Sequence, residues 1–185
     1  MNAIFKGIRP LDYVLAALFT GGGVYLMHEN MTYTGHGQGL VHPLSTTTAA
    51  MLPVFLAVTV PILWRRRNIL AVVGVTTLAL AVHVVLFGWL TRCGVVLPLS
   101  FALAYAVARF ATGRRDHLIG LAGILLFQVV TLTRDSSASL LGALPICLVG
   151  GALFYGVGRL VQARVNKKAS AQASEQQPAP DAVAA

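Results

Sequence analysis

Long apolar runs, broken by short basic or polar segments, fill this chain from residue 11 to residue 161. A helix needs about 20 mainly apolar residues to cross a bilayer core. The runs predict six such helices, over about 11–27, 45–64, 68–90, 95–112, 117–132 and 138–161. The fifth run is the weakest, since residues 117–132 at about 1.5 Å each cover about 24 Å of a core about 30 Å thick. It either begins inside the headgroup layer or re-enters without spanning.

Local signals sharpen the boundaries. Pro10 suits a first helical turn, where its missing N–H would have no partner anyway. Gly21–Gly23 permit close approach of a neighbouring backbone. Pro53, Pro61, Pro98 and Pro145 predict kinks, and Trp64 and Trp89 mark membrane interfaces. Arg109, in the last turn of the fourth span, is expected to snorkel to the headgroups. Residues 28–44 form the longest loop on one side. Residues 1–165 then make one six-helix transmembrane domain, and 166–185, rich in Ala, Gln, Ser and Pro, read as a disordered cytoplasmic tail.

Charge orients these spans. Of the 14 Lys and Arg, all but Arg92 and Arg134 fall in four clusters: Lys6/Arg9, Arg65–Arg67, Arg109/Arg114/Arg115 and Arg159/Arg164/Lys167/Lys168. Basic loops stay in the cytoplasm, so the predicted fold class is an all-α integral membrane bundle with both termini cytoplasmic, in a bacterial plasma membrane. The composition agrees. Hydrophobic residues make up 56% and charged residues 11%, against about 25% charged in soluble domains. The net charge of +8 does not form the single basic face that nucleic acid requires, so the bilayer, not nucleic acid, is the partner. The first apolar run ends without a small-x-small cleavage site, which makes it a retained span. Cys93 and Cys147, at different depths, read as unpaired apolar side chains.

Few residues carry chemistry. His28, His36 and His42, beside Glu29, are of metal-ligand type, but their spacing matches no zinc motif and an ordinary wet loop explains them. His83, in mid-span, reads as a hydrogen-bonded packing residue or as a ligand or proton site. Gln128, Thr76 and Thr77 suit interhelical hydrogen bonds. Asp12 lies one turn inside the first span, at the depth where Arg65–Arg67 end the second, which predicts an ion-pair clamp. Ala152 and Gly156 offer one small-xxx-small face. There is no phosphate-binding glycine loop and no nucleophile–base pair in the sequence, so no catalytic, cofactor or metal site is assigned and an enzyme is not expected.

Arg9-Pro-Leu-Asp12 at the first span, Pro61-Ile-Leu-Trp-Arg-Arg-Arg67 closing the second, Arg114-Arg115 between later spans and Gly158-Arg-Leu-Val161 leaving the last follow one another along the chain. In that order they resemble the N-terminal membrane region of actinobacterial sensor histidine kinases that partner NarL-type response regulators. The resemblance covers residues 7–165. No phosphoacceptor histidine sequence and no ATP-lid glycines accompany it here, so it implies sensing or anchoring without kinase chemistry. As partners it implies a homodimer, a kinase or a response regulator. A degenerate kinase remnant and a small transporter or channel subunit are the alternatives.

Overall fold

The computed structural model of the chain describes residues 8–33 and 40–175. Those residues are all-helical, in six elements: α1 (Pro10–Thr32), α2 (Met51–Thr59, continuing as a 3-10 turn over Val60–Trp64), α3 (Ile69–Phe87), α4 (Cys93–Phe110), α5 (Arg114–Thr133) and α6 (Leu140–Glu175). Five of them, α1 and α3–α6, are long and apolar enough to cross a membrane.

The helices alternate in direction. Asp12 at the start of α1 meets Arg65 at the end of α2, while Asn30 at the other end of α1 meets Thr91 between α3 and α4. One end of the bundle therefore gathers Arg9, Arg65–Arg67, Arg109, Arg114, Arg115 and Arg159, and is called here the basic end. The opposite end carries residues 40–45, 88–92 and 134–139. The outer surface is apolar, with Leu141 86% and Val85 76% exposed. A water-soluble protein would not leave such a surface bare, whereas hydrocarbon solvates it.

The short element is the second and not the fifth. α5 opens three residues before its expected start, because Gly113 precedes a first turn with Asp116, a placement the helix dipole favours. Its 20 residues reach about 30 Å. The second run was expected to be helical from Ser45, but the helix begins at Met51. Ser45 is engaged elsewhere, its Oγ accepting from the Trp89 N–H at 2.8 Å and its N–H donating to the Trp89 carbonyl at 2.9 Å. The hydroxyls of Thr46 and Thr48 accept from backbone N–H groups two residues on, an arrangement that competes with helix. At the far end Pro61 lacks the N–H that an α-helical turn needs, and the chain tightens into the 3-10 turn.

Two other boundaries move. α1 continues five residues past Met27, which places His28 and Glu29 on a helix instead of in a loop. α6 runs through Glu175, so residues 166–175 are helical where disorder was expected; the rest of the expected tail lies outside the described residues. α4 and α6 continue as helix through Pro98 and Pro145.

The core gathers on α2, α3, α4 and the inner face of α5, around Phe55, Leu80, Leu99, Leu103 and Phe127. Helices approach through glycine notches filled by side chains. The Gly23 notch takes the Phe55 ring, Gly120 takes Val107, Gly123 takes Val73 and Gly150 takes Phe101. At Gly158 the neighbour is backbone: a Cβ there would lie 2.7 Å from the Tyr105 carbonyl oxygen. α6 packs mainly on α4 and exposes most of its own surface.

Candidate functional site

Three loops meet at the end opposite the basic one, and Arg92 stands at their junction. Although it sits in the turn before α4, its side chain is 0% exposed. Gly88, at φ +65°, ends α3 and turns its carbonyl toward the arginine, which donates to it from Nη2 at 2.8 Å. Nη1 donates to the carbonyls of Arg134 (2.8 Å) and Leu90 (3.4 Å), and Nε donates to His83 Nδ1 at 3.1 Å. Each of the three guanidinium nitrogens thus has an acceptor, the condition under which a charge is tolerated in an interior. Burial pushes the Arg92 pKa down to about 10, opposed by Asp135, which leaves the group protonated at neutral pH.

Asp135 is equally buried and complements this cation through backbone. Its Oδ2 accepts from the N–H groups of Arg92 (2.8 Å) and Cys93 (2.9 Å), the free donors at the start of α4. Its Oδ1 accepts from the N–H (2.8 Å) and Oγ (2.6 Å) of Ser137. A carboxylate at a helix N-terminus answers both the unpaired N–H groups and the positive end of the helix dipole. Leu90 and Asp135 also form a short parallel bridge, and the N–H groups of Val41 and His42 reach the Ser136 carbonyl. Asn30 closes the junction from α1, exchanging two hydrogen bonds with the Thr91 peptide group. The junction ties α1, α3, α4, the turn before α6 and residues 41–45 into one unit.

His83 is a packing histidine with a polar duty. It is buried between Phe55 and Phe87, at ring-centroid distances of 5.3 and 4.9 Å. Its Nε2 is enclosed without a hydrogen-bond partner.

At the basic end the expected clamp is present. Asp12 Oδ1 takes Arg65 Nε and Nη2, both at 2.8 Å, and Oδ2 takes Arg66 Nε at 2.8 Å and the Arg9 N–H at 2.9 Å. Asp12 and Arg65 are 0% and 4% exposed. The Arg66 guanidinium also lies 5.1 Å from the centre of the Phe110 ring, and that of Arg109 lies 5.9 Å from the same centre. Arg109 does not extend freely to the headgroups as expected. It is half-buried, and its Nη1 is enclosed without a hydrogen-bond partner.

Of the remaining expectations, Gln128 does bridge helices, donating to Ser100 Oγ of α4 at 3.0 Å and to the Cys147 carbonyl of α6 at 3.3 Å. Thr76 and Thr77 do not; their hydroxyls turn back to the carbonyls of Val72 and Val73 in their own helix. His28 is exposed, the His42 ring packs against Trp89 with centroids 3.9 Å apart and planes tilted by 38°, and His36 lies outside the described residues. Among the described residues no group of three His, Cys, Asp or Glu side chains is placed to hold a metal. Cys93 and Cys147 are free thiols. Apolar grooves of about 460 Å³ and 480 Å³ run between α3 and α5 and beside α4–α6.

Sequence reading missed Arg92 and Asp135 as partners in one site. Both stood in turns assigned to the same side of the membrane, and opposite charges in two facing turns were the available signal. No protein-family profile, curated protein or solved structure matches the chain.

Proposed function

We propose that the protein is a non-catalytic regulatory component of the plasma membrane, with its basic end in the cytoplasm and α6 as its output. The observation that carries this reading is the length of α6. Its 36 residues extend about 54 Å, well beyond a hydrocarbon core about 30 Å thick. The residues past Val161 are polar and lie at the basic end, where a cytoplasmic partner has access to them.

A mechanical route supports the reading. The Arg92–Asp135 junction grips the first turn of α4. α4 carries the Phe101, Tyr105 and Ala108 surface against which Gly150 and Gly158 of α6 are seated. A ligand or bilayer change that displaces the junction moves α4 against α6 and so moves the projecting helix. Packed notches favour two discrete seatings over continuous sliding, which is what a switch requires. The resemblance to kinase sensor regions implies the same use of a last span, and a kinase or response regulator is the partner class it suggests.

The test is genetic and biochemical together. Deleting the gene in its host and, separately, truncating the chain after Val161 should alter expression of the same set of genes, with the truncated protein still in the membrane. A truncation that leaves expression unchanged while the gene deletion does not would refute α6 as the output. Solute flux through reconstituted protein would favour the carrier or channel reading.

A further inference from the structure

We propose that Arg109 and Arg66, both packed against the Phe110 ring at the basic end, bind the phosphate headgroup of an anionic phospholipid. The inference rests on the membrane location and is independent of the regulatory reading.

Charge is heavily unbalanced at this end. Among the described residues up to Val161, eight arginines at this end (9, 65, 66, 67, 109, 114, 115 and 159) face two acidic residues, Asp12 and Asp116. Asp12 has no capacity left. A carboxylate offers about four acceptor sites, and the Arg9 N–H, the two Arg65 nitrogens and Arg66 Nε occupy them. Asp116 sits in the first turn of α5, where it accepts from Thr112 Oγ1 at 3.1 Å.

Among the described arginines of this end, Arg109 is one that this shortage leaves with an enclosed, unmatched nitrogen. Its Nη1 is enclosed by protein with no acceptor, a costly state for a charged donor. The residue as a whole is only half-buried, so part of it reaches the surface at the last turn of α4. The Arg66 and Arg109 guanidinium carbons both lie within 6 Å of the Phe110 ring centre, at 5.1 and 5.9 Å, and therefore no more than about 11 Å from each other. Two like charges against one ring, one of them without a counter-ion, repel each other. A phosphate between them answers both, and a guanidinium fork matches its geometry.

Position selects a lipid over a soluble anion. These groups lie where the apolar runs of α2 and α4 end, the depth of the headgroups. At the same end an apolar groove of about 280 Å³ runs from Arg67 and Asn68 along Trp64, Ala71 and Val75. An acyl chain finds an apolar surface at the same end of the bundle as the two guanidinium groups.

The experiment is native mass spectrometry of the full-length protein in mild detergent, titrated with phosphatidylglycerol and, separately, with phosphatidylcholine. The wild type should retain the anionic lipid selectively. Arg109→Gln should weaken that retention about tenfold, as loss of a charge-assisted contact does, and Arg115→Gln, an exposed change at the same end, should not. If Arg109→Gln fails to give a monodisperse protein, Arg109→Lys carries the test, since it keeps the charge and removes the fork. Unchanged retention by the Arg109 variants, or equal retention of the zwitterionic lipid, would overturn the proposal. Inorganic phosphate at millimolar concentration should not displace the lipid; displacement dependent on Arg109 would assign the site to a free anion instead.

Discussion

His83 and Arg92 lie on opposite sides of the α3–α4 turn, with Nδ1 of the imidazole 3.1 Å from Nε of the guanidinium. Arginine has no acceptor, so the imidazole must offer its lone pair at Nδ1 and carry its proton on Nε2. The contact therefore needs a neutral histidine beside a charged arginine. Replacing His83 with Leu leaves a buried charged donor unmatched, at a cost of about 2–3 kcal/mol. Thermal unfolding in detergent should fall by about 5–10 °C. His83→Asn, whose amide oxygen can take the Nδ1 place, should recover much of the loss; equal loss in both variants would assign His83 to packing alone.

Asp135 should be the most sensitive side chain of the junction. Asp135→Ala frees four donors at once, two of them at the start of α4, and should cost about 3 kcal/mol or more. Asp135→Asn keeps an oxygen for the α4 N–H groups but turns an NH₂ toward Ser137, so it should fall between the alanine variant and the wild type. Hydrogen exchange at residues 92–96 is the local check: faster exchange there, with α3 and α5 unaffected, is the expected pattern.

The Asp12 clamp separates two arginines that the sequence presents as equivalent. Arg65 is 4% exposed and Arg66 22%. Asp12→Asn should destabilise by about 3 kcal/mol, because Arg65 is left as a buried charge without its counter-ion. Arg65→Ala should cost more than Arg66→Ala, whose more exposed pair is better screened. Melting temperatures of the three variants in one detergent decide it, and a neutral Asp12→Asn would remove the clamp from the account.

The Asp12–arginine pairing was legible because depth is encoded in the apolar runs: a carboxylate one turn into one span and a basic stop at the end of the next are forced to one level. The six helices were legible for the same reason. Their ends were not, since hydropathy records where hydrocarbon begins and not where backbone hydrogen bonds stop. Ser45 to Ala50 read as membrane helix by composition, yet their hydroxyls bond nearby backbone and the Trp89 peptide. Arg92 was illegible because nothing local distinguishes a solvated turn arginine from one whose carbonyl partners come from residues 88, 90 and 134. The partners are assembled only by the fold.

Two glycines of α6, two residues apart, should respond oppositely to the same change. A Cβ at Gly158 would stand 2.6 Å from Ala108 Cβ and 2.7 Å from the Tyr105 carbonyl oxygen, while one at Gly156 meets nothing within 4 Å. Neither the backbone oxygen nor the alanine can swing aside, so Gly158→Ala must lift α6 from α4. It should cost about 1–3 kcal/mol as overpacking, partly offset by alanine's better helix propensity. Gly156→Ala should be neutral or stabilise by about 0.5–1 kcal/mol. Paired spin labels at residues 105 and 161 would show the expected widening in the first variant and none in the second. An unmoved helix in Gly158→Ala would also weaken the proposed route from the junction to the output.

The sidedness of the bundle is open to direct measurement. Exporting the basic end would carry eight arginines across the membrane, against the bias that holds such segments in the cytoplasm. Opposite them, the exposed residues Thr133 and Arg134, at the end of α5 and the start of the turn after it, should face outward. In a background with Cys93 and Cys147 replaced by Ser and Ala, cysteines introduced at Arg114 or Lys168 should react with a membrane-impermeant maleimide only after the cells are opened. A cysteine at Thr133 should react in intact cells. All three sites are surface positions, so labelling reports access and not unfolding. Reaction of the Arg114 cysteine in intact cells would invert the bundle and move the end of α6 outside, where no cytoplasmic partner could meet it.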